Sequence, residues 1–285
     1  MKRQDFRHLE PLRVRWAEVD AQGIVFNGHY LTYVDTAISG YWRALALPYA
    51  GTMKRLGGDL YVRRAALDYL GSARCDDRLD VGIRRREFGH SSMKVDGAIF
   101  CGDRLLVRAD MVYVFADPAT QTPQRLPDAL RAVADGFEAG EPVVDVAVAG
   151  WAEQGDAAGA LRREVFIGEQ GIPAELEWDA ADADALHAVA RNRLGMPLAT
   201  GRLLVQAPGV ARIGRMAVLR PLRGTRIGRQ VLDALLAAAR ARGLREALLH
   251  AQLSAEAFYR RAGFERRSEP FEEAGIGHVE MVRAL

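Results

Sequence analysis

Asp20 is the first residue whose setting invites chemistry. It lies in Trp16-Ala17-Glu18-Val19-Asp20-Ala21-Gln22-Gly23-Ile24-Val25-Phe26-Asn27-Gly28-His29-Tyr30, which joins a strand-like run to a long helical pattern. Asn27 reads as the N-cap of that helix, leaving the amides of the next residues free to point outward. Such amides, with the positive end of the helix dipole, stabilise negative charge developing on a carbonyl oxygen. A carboxylate beside them attacks the carbonyl carbon or activates a water to do so. An acid ahead of a glycine turn is also an ordinary turn former. The second candidate is Arg220-Pro221-Leu222-Arg223-Gly224-Thr225-Arg226-Ile227-Gly228-Arg229, between a strand pattern and a helical one. Several backbone amides converging at a helix start suit a diphosphate, glycines let that backbone approach closely, and Arg223, Arg226 and Arg229 add charge. The same run also reads as a basic surface turn.

The elements that must position these groups come in two rhythms. In the first half Leu12 to Val19 reads as a strand, with Glu18 facing solvent. Tyr30, Val34, Ala37, Ile38, Tyr41, Trp42 and Leu45 then fall at helical spacing, and the helix should end near Leu47-Pro48. Period-two alternation follows: Tyr61, Ala65, Leu67 and Tyr69 on one face, then Leu79, Val81 and Ile83. Met93, Val95, Ile99 and Cys101 come next, then Leu105, Val107, Met111, Tyr113 and Phe115. One long helix and about five antiparallel strands make an α+β layout. A short helix from Pro127 to Phe137 leads to Glu138-Ala139-Gly140-Glu141-Pro142, which reads as a linker. The expected domains are residues 1–138 and 143–285. The second half is mixed α/β: strands at 143–149, 187–190, 198–205, 211–219, 246–251 and 278–282, with helices at 159–169, 227–242 and 255–262.

At 285 residues the chain exceeds the usual size of one hydrophobic core. A net charge of +2 gives no electrostatic footprint for nucleic acid. No apolar run reaches the ~20 residues that cross a bilayer, and no apolar leader follows the basic N-terminus, so a cytoplasmic protein is expected. Cys75 and Cys101, without metal-like spacing, read as two inert buried thiols. The six histidines show no HxxxH-type spacing, and no metal is expected.

Asp20-x-x-Gly-Ile-Val-Phe-x-x-x-Tyr30 resembles the signature of the 4-hydroxybenzoyl-CoA thioesterase and YbgC-like hotdog enzymes. The resemblance runs over about residues 10 to 130 and includes the stretches Ala66 to Arg74 and Arg108 to Phe115. It implies a hotdog fold, an antiparallel sheet wrapped round one long helix, and acyl-CoA hydrolysis. Asp20 would be the catalytic acid, nucleophile or general base, and Asn27, Gly28 and His29 would polarise the carbonyl. Departures are Glu18, where many relatives have aspartate, and Asn27 followed by His29-Tyr30, where YbgC-like members have His-Asn-Tyr. The resemblance also implies a homo-oligomer, dimer or tetramer, through this domain.

The arginine-rich turn resembles the acetyl-CoA pyrophosphate loop of the GNAT superfamily, with Arg226 where the middle glycine usually sits. About thirty residues on, Ala257-Phe258-Tyr259-Arg260-Arg261-Ala262-Gly263-Phe264 is similar to that family's tyrosine-bearing helix. Arg162 to Gln170 and Glu273 to Met281 resemble its ElaA-like branch. A GNAT fold, a mixed sheet with flanking helices, is implied over about 143–285. Coenzyme A or acetyl-CoA would be the acyl donor and a small-molecule amine the acceptor. Tyr259 would be the general acid at the CoA sulfur, and Met216, Ala217 and Val218 would pair with the pantetheine arm. Glu169, His187, His250 and His278 are candidates for the base or for substrate contact. The leading reading is a bifunctional CoA-thioester enzyme. The alternatives are a chain with one catalytic domain, the other serving oligomerisation or binding, and an acyl-homoserine-lactone-type synthase, a family that also resembles GNAT.

Overall fold

In the computed structural model, which describes residues 1–285, contacts divide the chain into units Met1–Val143 and Val144–Leu285. The first holds β1 (His8–Arg13), α1 (Asn27–Ala44), α2 (Tyr49–Leu56), β2 (Asp59–Tyr69), β3 (Arg78–Phe88), β4 (Ser92–Cys101), β5 (Arg104–Ala116) and α3 (Asp128–Glu138). The strands form one antiparallel sheet in the order β1-β3-β4-β5-β2. Tyr30, Tyr33, Val34, Ala37, Ile38, Tyr41 and Trp42 are the buried stripe of α1, at the 3–4 residue spacing that keeps one helix face inward. Its contact with the sheet is close: a Cβ at Gly40 would fall 1.9 Å from Glu10 Oε2.

Several expectations for this unit need correction. The first strand ends at Arg13, and Trp16–Glu18 is a 3₁₀ turn instead. Helix α1 stops at Ala44, because Ala46 takes the left-handed conformation (φ 56°) and the Ala46 and Leu47 amides donate to Arg43 and Trp42 carbonyls. Pro48 then begins α2, which the spacing did not announce. A register shift between Val62 and Arg64 puts Tyr61 on the face opposite Ala65, and one between Ile99 and Phe100 puts Leu105 opposite Val107. Cys75 is exposed and Cys101 half-buried, so neither is a buried thiol.

The second unit holds β6 (Val144–Ala149), α4 (Trp151–Arg162), the turn α5 (Ala174–Glu177), β7 (Leu186–Asn192), β8 (Pro197–Ala207) and β9 (Val210–Val218). It continues with α6 (Ile227–Ala241), β10 (Glu246–Gln252), α7 (Glu256–Arg261), β11 (Glu265–Arg266), β12 (Phe271–Glu273) and β13 (Ile276–Ala284). The sheet order is β11-β13-β10-β9-β8-β7-β6, with β12 on β13. Only β9 and β10 pair in parallel, through the crossover helix α6. The helix expected from Gly159 begins eight residues earlier, at Trp151, and runs on as a π-helix over Arg163–Glu169. No helix is long and apolar enough to cross a membrane.

Under α4 lies a buried ion network. Arg162, fully buried, donates to Glu177 and, at 2.8 Å, to Asp182, beneath the rings of Trp178 and Trp151. Arg202 shares Asp182 at 2.8 Å and adds Asp179 at 2.7 Å. Burial works to raise the Asp182 carboxyl, but the hydrogen bonds from Arg162 and Arg202 outweigh it and hold it below the ordinary range. His187, expected among base candidates, packs on Trp151 and hydrogen-bonds the Asp182 carbonyl at 3.0 Å, which makes it part of this support. Removing one member strands the others. Arg162→Met should destabilise this unit by about 3–5 kcal/mol, read from its urea transition; a loss below about 1 kcal/mol would contradict the network's role.

Candidate functional site

In the first unit Asp20 opens a tight turn closed by Val19 and Val25. Its amide donates to Ile24 O (2.9 Å), its carbonyl accepts from Gly23 N (2.9 Å), and Oδ1 accepts from Gln22 N (2.8 Å). The carboxylate is half-buried, and no protein donor meets its Oδ2. The turn is clamped onto α1. Phe26 N donates to Glu18 O and Val25 N to Ala73 O, each at 2.9 Å, while Tyr30 OH accepts from Ala73 N at 2.9 Å. Extended backbone is thereby imposed through Phe26, which is the N-cap, and Asn27 is the first helical residue and not the cap. Its carbonyl accepts from Tyr69 OH at 3.1 Å.

Of the three amides assigned to polarising a carbonyl, His29 N is spent on Phe26 O (2.9 Å), leaving those of Asn27 and Gly28 as the free donors of a helix start. The His29 ring stands edge-on to Phe26 and half-buried. Glu18, expected to face solvent, is buried: the 3₁₀ turn swings it inward. There it accepts from Arg15 N (2.7 Å) and from Tyr33 OH (2.7 Å). Burial pushes its carboxyl up, but the hydrogen bonds from Arg15 and Tyr33 prevail and hold it ionised. Burial, with Glu18 accepting its proton, in turn raises the Tyr33 phenol. Glu18 therefore fixes the loop that presents Asp20.

In the second unit the site comes from a parting of strands. β9 and β10 are in register only from Val210–Glu246 to Arg212–Leu248, although they run on to Val218 and Gln252. On its other side β9 bulges: Ala217 opposes Thr200 while Gly214 opposes Arg202, and the extra residues include Arg215 at φ 51°. Gly201 makes room there, since a Cβ would fall 2.4 Å from Met216 Sδ and 2.8 Å from Leu235. The Met216, Ala217 and Val218 edge is thus left without a strand on the β10 side. A cleft of about 880 Å³ opens beside it, lined by Val165, Val218, Gly224, Arg226, Phe258 and Tyr259, among others.

The arginine-rich turn borders this cleft. The amides of Arg223 and Thr225 are consumed by Arg220 O and Leu222 O, so the available donors are those of the helix start at Ile227, Gly228 and Arg229, with Gly224 ahead of them. The Arg223 guanidinium forms a two-pronged pair with Glu169 (2.6 and 2.8 Å), and Arg229 is tied to Asp233 and Arg261 O. Glu169, expected as a candidate base, is therefore an ion-pair partner, its carboxyl held low by Arg223, and it borders neither cleft nor cavity. Arg226 caps α6 from the left-handed region at φ 69°, with no partner for its guanidinium. That conformation explains why glycine suits this position.

Tyr259 lines both the cleft and an adjoining cavity of about 240 Å³, and burial pushes its phenol well above the ordinary value. Gln252 Nε2 donates to Gln170 Oε1 at 3.1 Å where the two spaces meet. Elsewhere along the cavity His250 Nδ1 is 2.8 Å from Glu273 Oε2, with Phe271 edge-on to the ring. Burial works to raise the Glu273 carboxyl, but hydrogen bonding to His250 and its charge hold it low. His278 also lines the cavity, its Nδ1 2.8 Å from Ile276 O. Sequence reading named His250 and His278 but missed Glu273 and the glutamine pair, which arrive on the β12–β13 hairpin, the π-helix end and β10. No group of three or more His, Cys, Asp or Glu gathers as a metal site.

Comparison with known proteins agrees with this architecture. The thioesterase superfamily model matches residues 22–108, and the acetyltransferase (GNAT) domain model matches residues 162–285. The chain is 34% identical over 124 residues to the uncharacterized N-acetyltransferase YjcF of Bacillus subtilis, covering 43% of this chain and 87% of that protein. It is 24% identical over 122 residues to the acyl-CoA thioesterase YbgC of Haemophilus influenzae, covering 43% of this chain and 90% of that one. The crystal structure of an acyl-CoA N-acyltransferase from Pseudomonas aeruginosa is 33% identical, with a TM-score of 0.45 over 50% of this chain and 99% of that one. Both units thus have the folds of CoA-utilising enzymes, a hotdog thioesterase and a GNAT acyltransferase. The chain belongs to the GNAT acetyltransferase family through residues 162–285 and carries a thioesterase-superfamily domain ahead of it.

Relieving the left-handed backbone at Arg226 should show in stability. Arg226→Gly is expected to stabilise the second unit by about 1 kcal/mol, measured by urea unfolding; a loss of stability would mean that the arginine side chain supports the turn.

Proposed function

We propose that the chain is bifunctional, hydrolysing acyl-CoA thioesters in its first unit and transferring an acyl group, acetyl in the first instance, from CoA to a small amine in its second. The domains are taken as residues 1–138 and 143–285. The unpaired Met216–Val218 edge beside a cleft bordered by a helix start carries the transfer reading. A pantetheine arm extends that edge as a strand would, and the Gly224, Ile227, Gly228 and Arg229 amides with the Arg226 guanidinium hold the diphosphate.

The transfer step balances as follows. The acceptor ammonium gives one proton to His250, through a water, and Glu273 orients the ring. The neutral nitrogen attacks the thioester carbon, the N–C bond forms and the C–S bond breaks. The departing thiolate takes the proton of Tyr259, which burial keeps protonated, the nitrogen's second proton restores the phenol through water, and His250 passes its proton to solvent. In the first unit Asp20 attacks the thioester carbon or activates water, and the Asn27 and Gly28 amides stabilise the oxyanion.

Homo-oligomer formation through the first unit is part of the proposal. Edge strand β2 presents Val62 and Tyr69 (53% and 51% exposed), with Leu70 and Phe26 exposed nearby, an apolar margin that a second copy would cover.

Asp20→Ala should lower acyl-CoA hydrolysis by about 10²–10⁴-fold while leaving acyl transfer intact, followed as free carboxylic acid and as N-acyl product. Equal hydrolysis by the variant removes Asp20 from the mechanism. Tyr259→Phe should lower kcat for N-acylation by a factor on the order of 10² with KM for acetyl-CoA unchanged; an unchanged kcat reduces Tyr259 to a packing residue.

A further inference from the structure

The charge pattern of the 240 Å³ cavity goes beyond what acyl transfer alone requires. Three arginines line it, Arg202, Arg212 and Arg215, against two glutamates, Glu177 and Glu273. Arg202 is committed to Asp179 and Asp182. Arg215 is held by Asp179 at 3.2 Å and by the Leu176 carbonyl at 3.4 Å, with its Nε 3.4 Å from Glu177 Oε2. Arg212 forms no ion pair; its guanidinium stands 3.4 Å from His250 Nδ1, the nitrogen that faces Glu273 at 2.8 Å. A guanidinium lining a cavity without a carboxylate of its own is a ready partner for a ligand anion.

We propose that the acyl acceptor is a small amine that also bears a carboxylate, an amino acid in its chemistry. Its carboxylate sits between Arg212 and Arg215, and its amine turns toward His250 and the Gln170–Gln252 junction. This rests on the acyl-transfer reading and names the acceptor for it. At about 240 Å³ the cavity has room for a molecule of amino-acid size. A polyamine would bring a second cation among three guanidiniums, and a simple alkylamine would leave Arg212 without an ion-pair partner. The amine end finds the opposite charge: Glu273 beside His250, and Glu280 Oε2 3.8 Å from His250 Nε2. An ammonium is drawn there before it loses its proton.

The full chain would be supplied with acetyl-CoA and offered free amino acids, the matching amino amides, and spermidine, with N-acetyl product read by mass spectrometry so that thioester hydrolysis does not count. Free acids should exceed their amides in kcat/KM by about tenfold or more, as expected for losing one charge-assisted contact. Arg212→Met, which breaks no ion pair and so spares the fold, should erase the preference for acid over amide. An injured His250 would instead slow both alike and keep their ratio. Amides or spermidine acetylated as well as the acids would overturn the proposal, and so would an unchanged ratio in Arg212→Met. If no amine of any class is acetylated while CoA still raises the melting temperature, the transfer reading itself has failed.

Discussion

Beyond Arg212 the backbone of β9 has no strand on its β10 side, and most of the second unit's chemistry depends on that gap. A β-edge inside a domain exposes amides and carbonyls that need partners. Here the gap is built in: a bulge with Arg215 in the left-handed region bends β9 away, Gly201 gives it room, and the buried Arg162 network anchors the neighbouring strand through Arg202. The cleft, the helix start that borders it and Tyr259 are consequences of that bend.

The first unit meets a related constraint by other means. Its free amides exist because backbone bonds from Val25 and Phe26 hold the chain extended until Asn27, and buried Glu18 keeps that loop against Tyr33. Both candidate sites thus combine a helix start with a nearby side chain, Asp20 or Tyr259, whose chemistry suits handling protons or a carbonyl carbon. The polar machinery is placed by backbone geometry, and buried ions provide the stiffness. The buried ions contribute more to placement than to net stability, since their desolvation offsets much of their attraction.

Much of this was legible in the residues. The α1 stripe from Tyr30 to Trp42 follows from helical spacing, because a helix with one apolar face must bury it. The order of strands, and the turn ahead of α6, follow from alternation and glycine punctuation. Misreadings fell where a single backbone torsion changes the outcome. Ala46 ends α1 three residues early, and the shift between Val62 and Arg64 turns Tyr61 to the other face. Neither residue type favours these conformations, so composition carried no warning.

By itself the sequence determined most of the helices and strands, the division into two halves, and that Asp20 lies just ahead of a helix start, since periodicity and turn chemistry are local properties. Only the tertiary structure decided which charged groups are free. Arg223 and Glu169 lie 54 residues apart and neutralise each other, as Glu273 comes across 23 residues to His250, while Arg226 is left open. Pairing of that kind is a matter of distance in space, and no spacing along the chain encodes it.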